Sequence, residues 1–167
     1  MPLLQDGVLS RDELSELRSV PVELRLAQGP VAVVECSQQI PCDPCEEACP
    51  QGAIRIGEPI INLPELHEEK CTGCGVCIAH CPGQAIFVVD MTYGDGEAAI
   101  QLPYEFAPLP ERGDLVKGLN RAGLEVCKGR VTRVLNTRRF DRTAVVTVIV
   151  PKEFGMEVRS IRRRGSR

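Results

Sequence analysis

Aromatic residues are scarce in this sequence: it contains no tryptophan, and aromatic side chains make up only 4% of its 167 residues. This scarcity disfavours a protein that binds single-stranded nucleic acid by stacking bases on aromatic rings. The sequence also lacks a run of about 18 apolar residues, so we expect no transmembrane helix. Its N-terminus lacks the basic start and long apolar stretch of a secretory signal, which favours a cytoplasmic location.

Motifs for substrate chemistry are missing as well. The sequence contains no paired nucleophile and base, no Gly-rich phosphate loop and no dinucleotide-binding fingerprint. Its two histidines are His67, in the acidic stretch Glu65–Glu69, and His80, beside Cys81. We expect His67 to lie at the surface and His80 to be solvated or to contact a metal ligand without being one. No catalytic residue is predicted.

Cysteine, in contrast, occurs nine times. Without an export signal these thiols are expected to stay reduced, which favours metal binding or redox chemistry over disulfides. Eight of the nine fall into two segments. The second segment has the spacing C-x2-C-x2-C-x3-C-P, formed by Cys71, Cys74, Cys77, Cys81 and Pro82. The first ends in the same C-x2-C-x3-C-P pattern, formed by Cys42, Cys45, Cys49 and Pro50, and begins at Cys36.

The two segments form an internal repeat with an offset of 32 residues. Six identities are in register: Cys42, Cys45, Cys49, Pro50, Ala53 and Ile54 align with Cys74, Cys77, Cys81, Pro82, Ala85 and Ile86. Three closely spaced thiolates can reach three irons of one cluster if the backbone turns sharply, and Gly73 and Gly75 permit such turns. The repeat therefore indicates a duplicated cluster-binding unit.

This pattern resembles the bacterial ferredoxins that carry two [4Fe-4S] clusters. The resemblance covers residues 31–92 and implies an α+β, ferredoxin-like fold with pseudo-twofold symmetry, in which short hairpins and short helices surround the clusters. In this spacing the fourth cysteine of each motif ligates the other cluster. Cluster one would use Cys36, Cys42, Cys45 and Cys81, and cluster two would use Cys71, Cys74, Cys77 and Cys49. We expect Val31–Val34 to pair with Ile86–Val89, and Ile54–Ile56 to pair with Ile60–Asn62.

Cys36 leaves two alternatives open, because it lies six positions before Cys42 instead of three and Gln39 occupies the regular place. Either a longer loop still brings Cys36 to the cluster, or the site holds a [3Fe-4S] cluster or a cubane with an unusual ligand. We favour the longer loop, because a cysteine here has no better explanation. Two zinc ions are a further alternative, but zinc sites usually separate their C-x2-C pairs by a longer loop. The ninth cysteine, Cys127, is expected to be a small packing residue.

Charge is distributed unevenly along the chain. Residues 31–109 contain 2 basic and 12 acidic residues, whereas residues 110–167 contain 15 basic and 6 acidic residues. We interpret this as a dicluster module at 31–92 and a small basic β unit at 111–167, joined by a Pro-rich connector at 93–110. Residues 1–30 form an N-terminal arm, whose helix opens at the capping box Ser10–Glu13 and ends by about Arg18. The arm is too short to form a core alone, so it must pack on the module or on another subunit.

The β unit is predicted to contain the strands Leu115–Leu119, Leu124–Leu135 and Thr143–Val150. Pro151 suits the first turn of a helix, so the unit is predicted to end in a helix through about Ile161. In the connector, a turn is expected near residue 95 and a short strand at Ala98–Leu102. Tyr104 and Phe106 are candidate anchors of a docking strip.

About two-thirds of the chain lies outside the cluster module, which favours an electron-transfer subunit of a larger oxidoreductase. The irregular first motif, with the stretches CKGRVTRVLN at 127–136 and FDRTAVVTV at 140–148, resembles the iron–sulfur subunits of flavin-dependent dehydrogenases. Those enzymes oxidise amines or amino acids of the proline or sarcosine kind. The resemblance implies a hetero-oligomer in which single electrons pass between a partner flavoprotein, holding FAD or FMN, and an acceptor.

Two other functions are weighed against this one. A freestanding ferredoxin with diffusible partners would fit the acidic module but not the basic appendage. An iron–sulfur protein that binds nucleic acid would fit the basic C-terminal third, but no recognition motif accompanies its arginines. Those arginines are Arg130, Arg133, Arg138, Arg139, Arg142 and Arg162–Arg164.

Overall fold

The structure, a computed structural model, describes residues 6–140 and 143–163. Its helices are short: α1 at Arg11–Ser15, α2 at Glu23–Leu26, α3 at Pro44–Ala48 and α4 at Val76–His80. Its strands are β1 at Val31–Val34, β2 at Ile54–Arg55, β3 at Glu65–Leu66, β4 at Ile86–Gly94, β5 at Glu97–Tyr104, β6 at Leu115–Leu119, β7 at Glu125–Leu135, β8 at Ala144–Pro151 and β9 at Ser160–Arg163. Over these described ranges, no helix has the length and hydrophobicity needed to cross a bilayer.

Seven of the described strands form one antiparallel sheet in the order β1-β4-β5-β8-β7-β6-β9. β8 is rich in β-branched residues and is buried over most of its length, as expected of a central strand. β5 pairs with it throughout, from Glu97 opposite Pro151 to Tyr104 opposite Ala144. This pairing joins the cysteine-rich part of the chain to the C-terminal strands and gives those strands the neighbour they need to bury apolar surface.

Most strand predictions are confirmed. β1 and β4 pair as expected, with Val31 opposite Val89 and Val34 opposite Ile86. β6, β7 and β8 agree with the predicted strands to within one residue. The turn near residue 95 joins β4 to β5, but β5 continues to Tyr104, so much of the predicted connector is strand. Residue 92, the predicted end of the dicluster module, lies inside β4, so this strand continues past it.

The prediction that Ile54–Ile56 pairs with Ile60–Asn62 is wrong, because β2 pairs with β3 instead. Asn62 holds the intervening segment in a turn. Its backbone N–H donates to the Pro59 carbonyl at 2.9 Å, and its side-chain amide donates to the Ile56 carbonyl at 3.1 Å. These bonds satisfy the turn internally, so the next extended segment completes the hairpin.

The predicted C-terminal helix is also wrong. Pro151 is the last residue of β8, and Lys152–Phe154 form a short 3₁₀ helix rather than the start of a longer one. The chain then returns as β9, which pairs with β6 at the edge of the sheet. Val158 and Ile161 are buried in this arrangement. The open edge of β6 supplies backbone partners and an apolar surface, whereas a short isolated helix is only marginally stable.

The N-terminal arm packs on the cysteine-rich part of the chain. α1 begins with the predicted capping box: the Glu13 N–H donates to Ser10 Oγ at 3.2 Å, and the Ser10 N–H donates to the Glu13 carboxylate at 2.9 Å. Further along, the Ser19 hydroxyl donates to the Val34 carbonyl at 2.6 Å, and the Val34 N–H donates to the Ser19 carbonyl at 3.0 Å. The arm therefore occupies part of the free edge of β1.

Candidate metal centre

Eight cysteines gather around two cavities. The first cavity is lined by Cys36, Cys42, Cys45 and Cys81. The second is lined by Cys49, Cys71, Cys74 and Cys77. Each cavity combines three cysteines of one motif with the last cysteine of the other. Apart from the thiols, the walls are largely apolar and include Val34, Ile56 and Ile86 in the first cavity and Ala32, Ile54 and Val88 in the second.

The sequence repeat is also a repeat in structure. α3 and α4 contain five residues each, lie 32 positions apart and end at the last cysteine of their motif. There Cys49 Sγ accepts an N–H from Ala53 at 3.2 Å, and Cys81 Sγ accepts one from Ala85 at 3.4 Å. Backbone N–H groups directed at a ligand sulfur stabilise its thiolate form and influence the potential of a bound cluster.

Two glycines shape the loop of the second motif. Both have left-handed backbone conformations, with φ of +67° at Gly73 and +79° at Gly75. A Cβ atom at Gly73 would lie 2.6 Å from the Cβ of Pro30 and 2.8 Å from its carbonyl oxygen. A Cβ atom at Gly75 would overlap the side-chain oxygen of Gln101. These contacts and conformations confirm that the loop turns tightly at both glycines.

Cys36 reaches the wall of the first cavity despite its irregular spacing. It follows two residues after β1, whose register is fixed by pairing with β4. The Glu35 N–H donates to the Ala85 carbonyl at 2.8 Å and so extends this pairing toward Cys36. Gln39, at the regular position, instead lines a separate surface cleft with Arg55. The longer loop thus carries Cys36 to the same cavity as Cys42.

Burial, followed by the neighbouring cysteines, raises the pKa of Cys45 to about 12 and also raises the pKa of Cys77. The protonated form of these two thiols is therefore favoured unless a cation lies among the cysteines of their set. An all-thiolate donor set with N–H groups directed at its sulfurs fits an iron–sulfur cluster. Within the described ranges, no group of three or more His, Cys, Asp or Glu side chains could hold a single metal ion.

Three other residues singled out from the sequence lie outside the two cysteine sets. His80 is exposed, with its Nδ1 2.9 Å from the Val76 carbonyl oxygen. His67 lies near the surface, 3.7 Å from the carboxylate of Glu69. Cys127 is half-buried in β7 and packs against Gly118, where an added Cβ would lie 2.8 Å from its sulfur. This packing agrees with the role predicted for Cys127.

The candidate docking residues differ from each other in exposure. Tyr104 is only 6% exposed, so the prediction that it anchors a docking strip is wrong. It closes β5 and its ring packs edge-on against Phe106, with centroids 5.6 Å apart. Phe106 itself is 69% exposed and remains a candidate. Of the arginines considered for nucleic-acid binding, Arg142 and Arg164 lie outside the described residues.

A buried charge network beside the first cavity was not predicted. The side chain of Glu35 is 7% exposed. Arg121 donates to both of its carboxylate oxygens, at 2.8 and 2.6 Å, and Arg159 Nε donates to one of them at 2.6 Å. Burial raises the pKa of Glu35, but the two guanidinium groups outweigh burial and lower it below its ordinary value. These arginines lie 86 and 124 residues from Glu35 along the chain, so no local pattern could indicate the pairing.

Comparison with known proteins identifies the cysteine-rich part of the chain. Residues 40–93 match the 4Fe-4S dicluster domain family. One component of an ion-translocating oxidoreductase complex from Methanosarcina acetivorans is 53% identical over 47 residues, which cover 28% of this chain and 17% of that protein. The polyferredoxin-like subunit of an aliphatic sulfonate oxidoreductase from Pyrococcus furiosus is 41% identical over 46 residues, 28% of this chain and 26% of that protein.

A longer match involves a subunit of the F(420)H(2) dehydrogenase of Methanosarcina mazei, which is 30% identical over 107 residues. That match covers 57% of this chain and 60% of the relative. The chain therefore spans less than two thirds of each of these three relatives. No solved structure matches this chain. What the matches share is a 4Fe-4S ferredoxin module.

Proposed function

We propose that this chain, which contains a 4Fe-4S dicluster ferredoxin module at residues 40–93, transfers electrons through two [4Fe-4S] clusters. The observation that supports this most directly is the gathering of two four-cysteine sets around two cavities, each set drawn from both motifs. Cluster one is assigned to Cys36, Cys42, Cys45 and Cys81. Cluster two is assigned to Cys49, Cys71, Cys74 and Cys77. When bound, each cluster supplies one-electron redox chemistry.

The protein's own residues hold the two sites close together and shield one side of each. Cys45 and Cys77 are buried, and Cys45 is near enough to Cys77 to contribute to its raised pKa, after burial and the cysteines of its own set. The two sites are therefore neighbours, as fast exchange of electrons between them requires. Cys74 is exposed and places the edge of the second site at the protein surface. A redox partner can approach the module there.

The chain is proposed to act as a subunit of a multisubunit oxidoreductase rather than as a freestanding carrier. The three relatives described above are named as subunits of an oxidoreductase complex, an oxidoreductase and a dehydrogenase. The strands that follow β5 add a surface beyond what cluster binding needs. Phe106, exposed on the loop after β5, offers an apolar contact to a partner of the kind found in stable interfaces.

The partner is proposed to be a flavoprotein that holds FAD or FMN and oxidises an amine or amino acid. Support comes from the resemblance of residues 127–136 and 140–148 to iron–sulfur subunits of such dehydrogenases. Two one-electron clusters also match the two electrons that a flavin takes from such a substrate.

Purification of the native chain from its own host tests both parts of the proposal. We expect the chain to co-elute with a flavin-containing protein and to hold about eight irons. A chain that holds about eight irons but elutes alone as a monomer would indicate a freestanding ferredoxin. A content of about four irons per chain would contradict the assignment of two cubanes.

Gly73→Ala is expected to weaken cluster two, because the new methyl group would meet the backbone of Pro30. Gly57→Ala is a matched control: Gly57 has a similar φ of +63°, but an added Cβ there has nothing within 4 Å. Left-handed backbone costs any non-glycine residue about 1–2 kcal/mol, so the control isolates the contact with Pro30. We expect Gly73→Ala to release iron to a chelator about tenfold faster than Gly57→Ala, and equal rates would contradict this explanation.

A further inference from the structure

We infer that Glu35, Arg121 and Arg159 form a clamp that positions Cys36 as the fourth ligand of cluster one. This inference rests on the proposed function and explains how a cysteine at irregular spacing is held in place. The three residues are called the Glu35 clamp below. They are positioning residues, because Cys36 itself supplies the sulfur.

The loop between Cys36 and Cys42 supports Cys36 only locally, through a backbone hydrogen bond from Gln38 to its thiol. One described backbone bond in the loop joins residues only two positions apart, with the Ile40 N–H donating to the Gln38 carbonyl at 3.1 Å. Another is long, with the Cys42 N–H donating to the Ile60 carbonyl at 3.5 Å. The regular motif instead places its cysteines on a Gly-rich turn and a helix. The position of Cys36 therefore depends on the residue that precedes it.

Glu35 braces two ligands of cluster one at once. It is bonded covalently to Cys36, and its N–H donates to the Ala85 carbonyl at 2.8 Å. The N–H of Ala85 in turn donates to Cys81 Sγ at 3.4 Å. A movement of Glu35 would therefore disturb both Cys36 and Cys81, which come from opposite motifs.

The two arginines are themselves held by the loop that leads into β9. Arg121 also donates to the Met156 carbonyl at 2.9 Å, and Arg159 donates to the Val158 carbonyl at 2.7 Å. The Arg159 guanidinium lies over the ring of Phe87, 5.0 Å from its centroid. Their side chains are 12% and 4% exposed. The clamp therefore connects the backbone next to Cys36 to the loop before β9 and to Phe87 of β4.

Stability alone does not explain why these three charged side chains are buried together. Desolvation of buried ions is costly, and well-packed apolar residues in their place are often as stable or more stable. In addition, Arg159 Nη2 is buried without a hydrogen-bond partner among the described residues. What a bidentate arginine pair supplies is a defined geometry for the carboxylate, and hence for the backbone at Glu35.

Cluster two has a different brace, which provides an internal comparison. Arg25, from the N-terminal arm, donates to the Cys71 carbonyl at 2.8 Å. The N–H of Ala32 donates to Cys71 Sγ at 3.3 Å. Cys71 is the first cysteine of the regular motif, as Cys36 is of the irregular one. Arg25→Met should therefore disturb cluster two, whereas loss of the Glu35 clamp should disturb cluster one.

The test compares full-length variants, reconstituted with iron and sulfide without oxygen, by iron content and low-temperature EPR. In Arg121→Met/Arg159→Met we expect iron to fall from about eight to about seven per chain, and the oxidised protein to show the signal of a three-iron cluster. Arg159→Lys retains a positive charge and should preserve more of the four-iron form than Arg159→Met does. Arg130→Met, which changes an exposed arginine of β7, is the matched control and should keep about eight irons.

The clamp is refuted if the double variant keeps about eight irons and shows no three-iron signal. Should the double variant fail to fold, the single variant Arg159→Met decides by chelation kinetics. We expect half of its iron to leave about tenfold faster than in Arg130→Met, and equal rates would overturn the inference. Failure of the proposed function is distinguishable, because wild type itself would then lack about eight irons.

Discussion

Replacing Cys49 with serine is expected to disrupt cluster two, although Cys49 belongs to the first motif. Its sulfur lines the cavity formed with Cys71, Cys74 and Cys77, and it accepts an N–H bond from Ala53. A serine oxygen is a harder and poorer ligand for an iron–sulfur cluster than a thiolate. We expect the iron content to fall from about eight to between four and seven per chain, measured together with EPR of the oxidised and reduced protein.

Matched cysteine variants identify which cluster is affected. The EPR spectrum of Cys49→Ser should match that of Cys74→Ser, which removes a proposed ligand of cluster two from the second motif. The reciprocal variant Cys81→Ser should match Cys42→Ser, because Cys81 lines the cavity of cluster one. Cys127→Ser is the control for loss of a thiol that packs in β7, and it should leave the iron content unchanged.

The assignment places the last cysteine of each motif in the cluster of the other motif. It would be contradicted if the spectra matched within each motif instead of between the motifs. If the EPR spectrum of Cys49→Ser matched that of Cys42→Ser, each motif would hold its own cluster. The grouping of thiols around the two cavities would then not reflect how the clusters are bound. If Cys127→Ser lost iron, the interpretation of Cys127 as a packing residue would be wrong instead. The same set of variants therefore separates the ligands from the remaining cysteine.

The parts of the structure that were predictable from the sequence are those determined locally. Cysteine spacing, two glycines and the capping box at Ser10 each constrain a few consecutive residues, and the structure shows the turns and the helix start they predict. Strands rich in β-branched residues, such as β8, were also found to within one residue. Short-range chemistry was sufficient for these elements.

The parts that could not be predicted depend on partners far away in the sequence. The pairing of β5 with β8 joins residues 40 or more positions apart in one sheet, and Tyr104, which was predicted to be an exposed anchor, is buried there. The segment after Pro151 could begin a helix by local preference, but the free edge of β6 made it a strand. The Glu35 clamp joins residues 86 and 124 positions apart.

The two segments added to the ferredoxin module each contact one of the two candidate sites. The N-terminal arm contacts the second site through Arg25, and two loops of the C-terminal part contact the residue next to the first site, Glu35, through Arg121 and Arg159. From the sequence, the arm was expected to pack on the module or on another subunit, and the added segments were expected to favour docking. In the structure, side chains from both segments bond to the first cysteine of one motif and to the residue before the first cysteine of the other.

Removal of iron is expected to unfold the cluster-binding loops while leaving the sheet intact. α3 and α4 have five residues each and β2 and β3 have two, which is too short for independent stability. Burial, followed by the neighbouring cysteines, raises the pKa of Cys45 in α3 and of Cys77 in α4, so their thiolate forms are disfavoured without a cation nearby. We therefore expect metal binding and folding to be coupled in this part of the chain.

Hydrogen–deuterium exchange of the chelated protein measures this coupling. We expect amide exchange in α3 and α4 to accelerate more than about a hundredfold, and exchange in β5 and β8 to change less than about threefold. The central strands should resist because Ile100, Leu102 and Val148 have 0% exposure and because β5 and β8 are paired along their whole length. Reconstitution with iron and sulfide should restore the original protection, which excludes damage by the chelator.

Protection of α3 and α4 in the iron-free protein would contradict this expectation and show that the two cavities are preformed. Loss of protection throughout β5 and β8 would contradict it in the other direction, because the sheet would then depend on the clusters. The expected result lies between these two outcomes, because β4 belongs both to the cluster-binding region and to the sheet. Its first residues follow the second cysteine motif, and its later residues pair with β5. In the iron-free protein, amide protection should therefore be lower at the Ile86 end of β4, which is nearer the clusters. It should be higher toward Asp90, which pairs with Ala99 of β5.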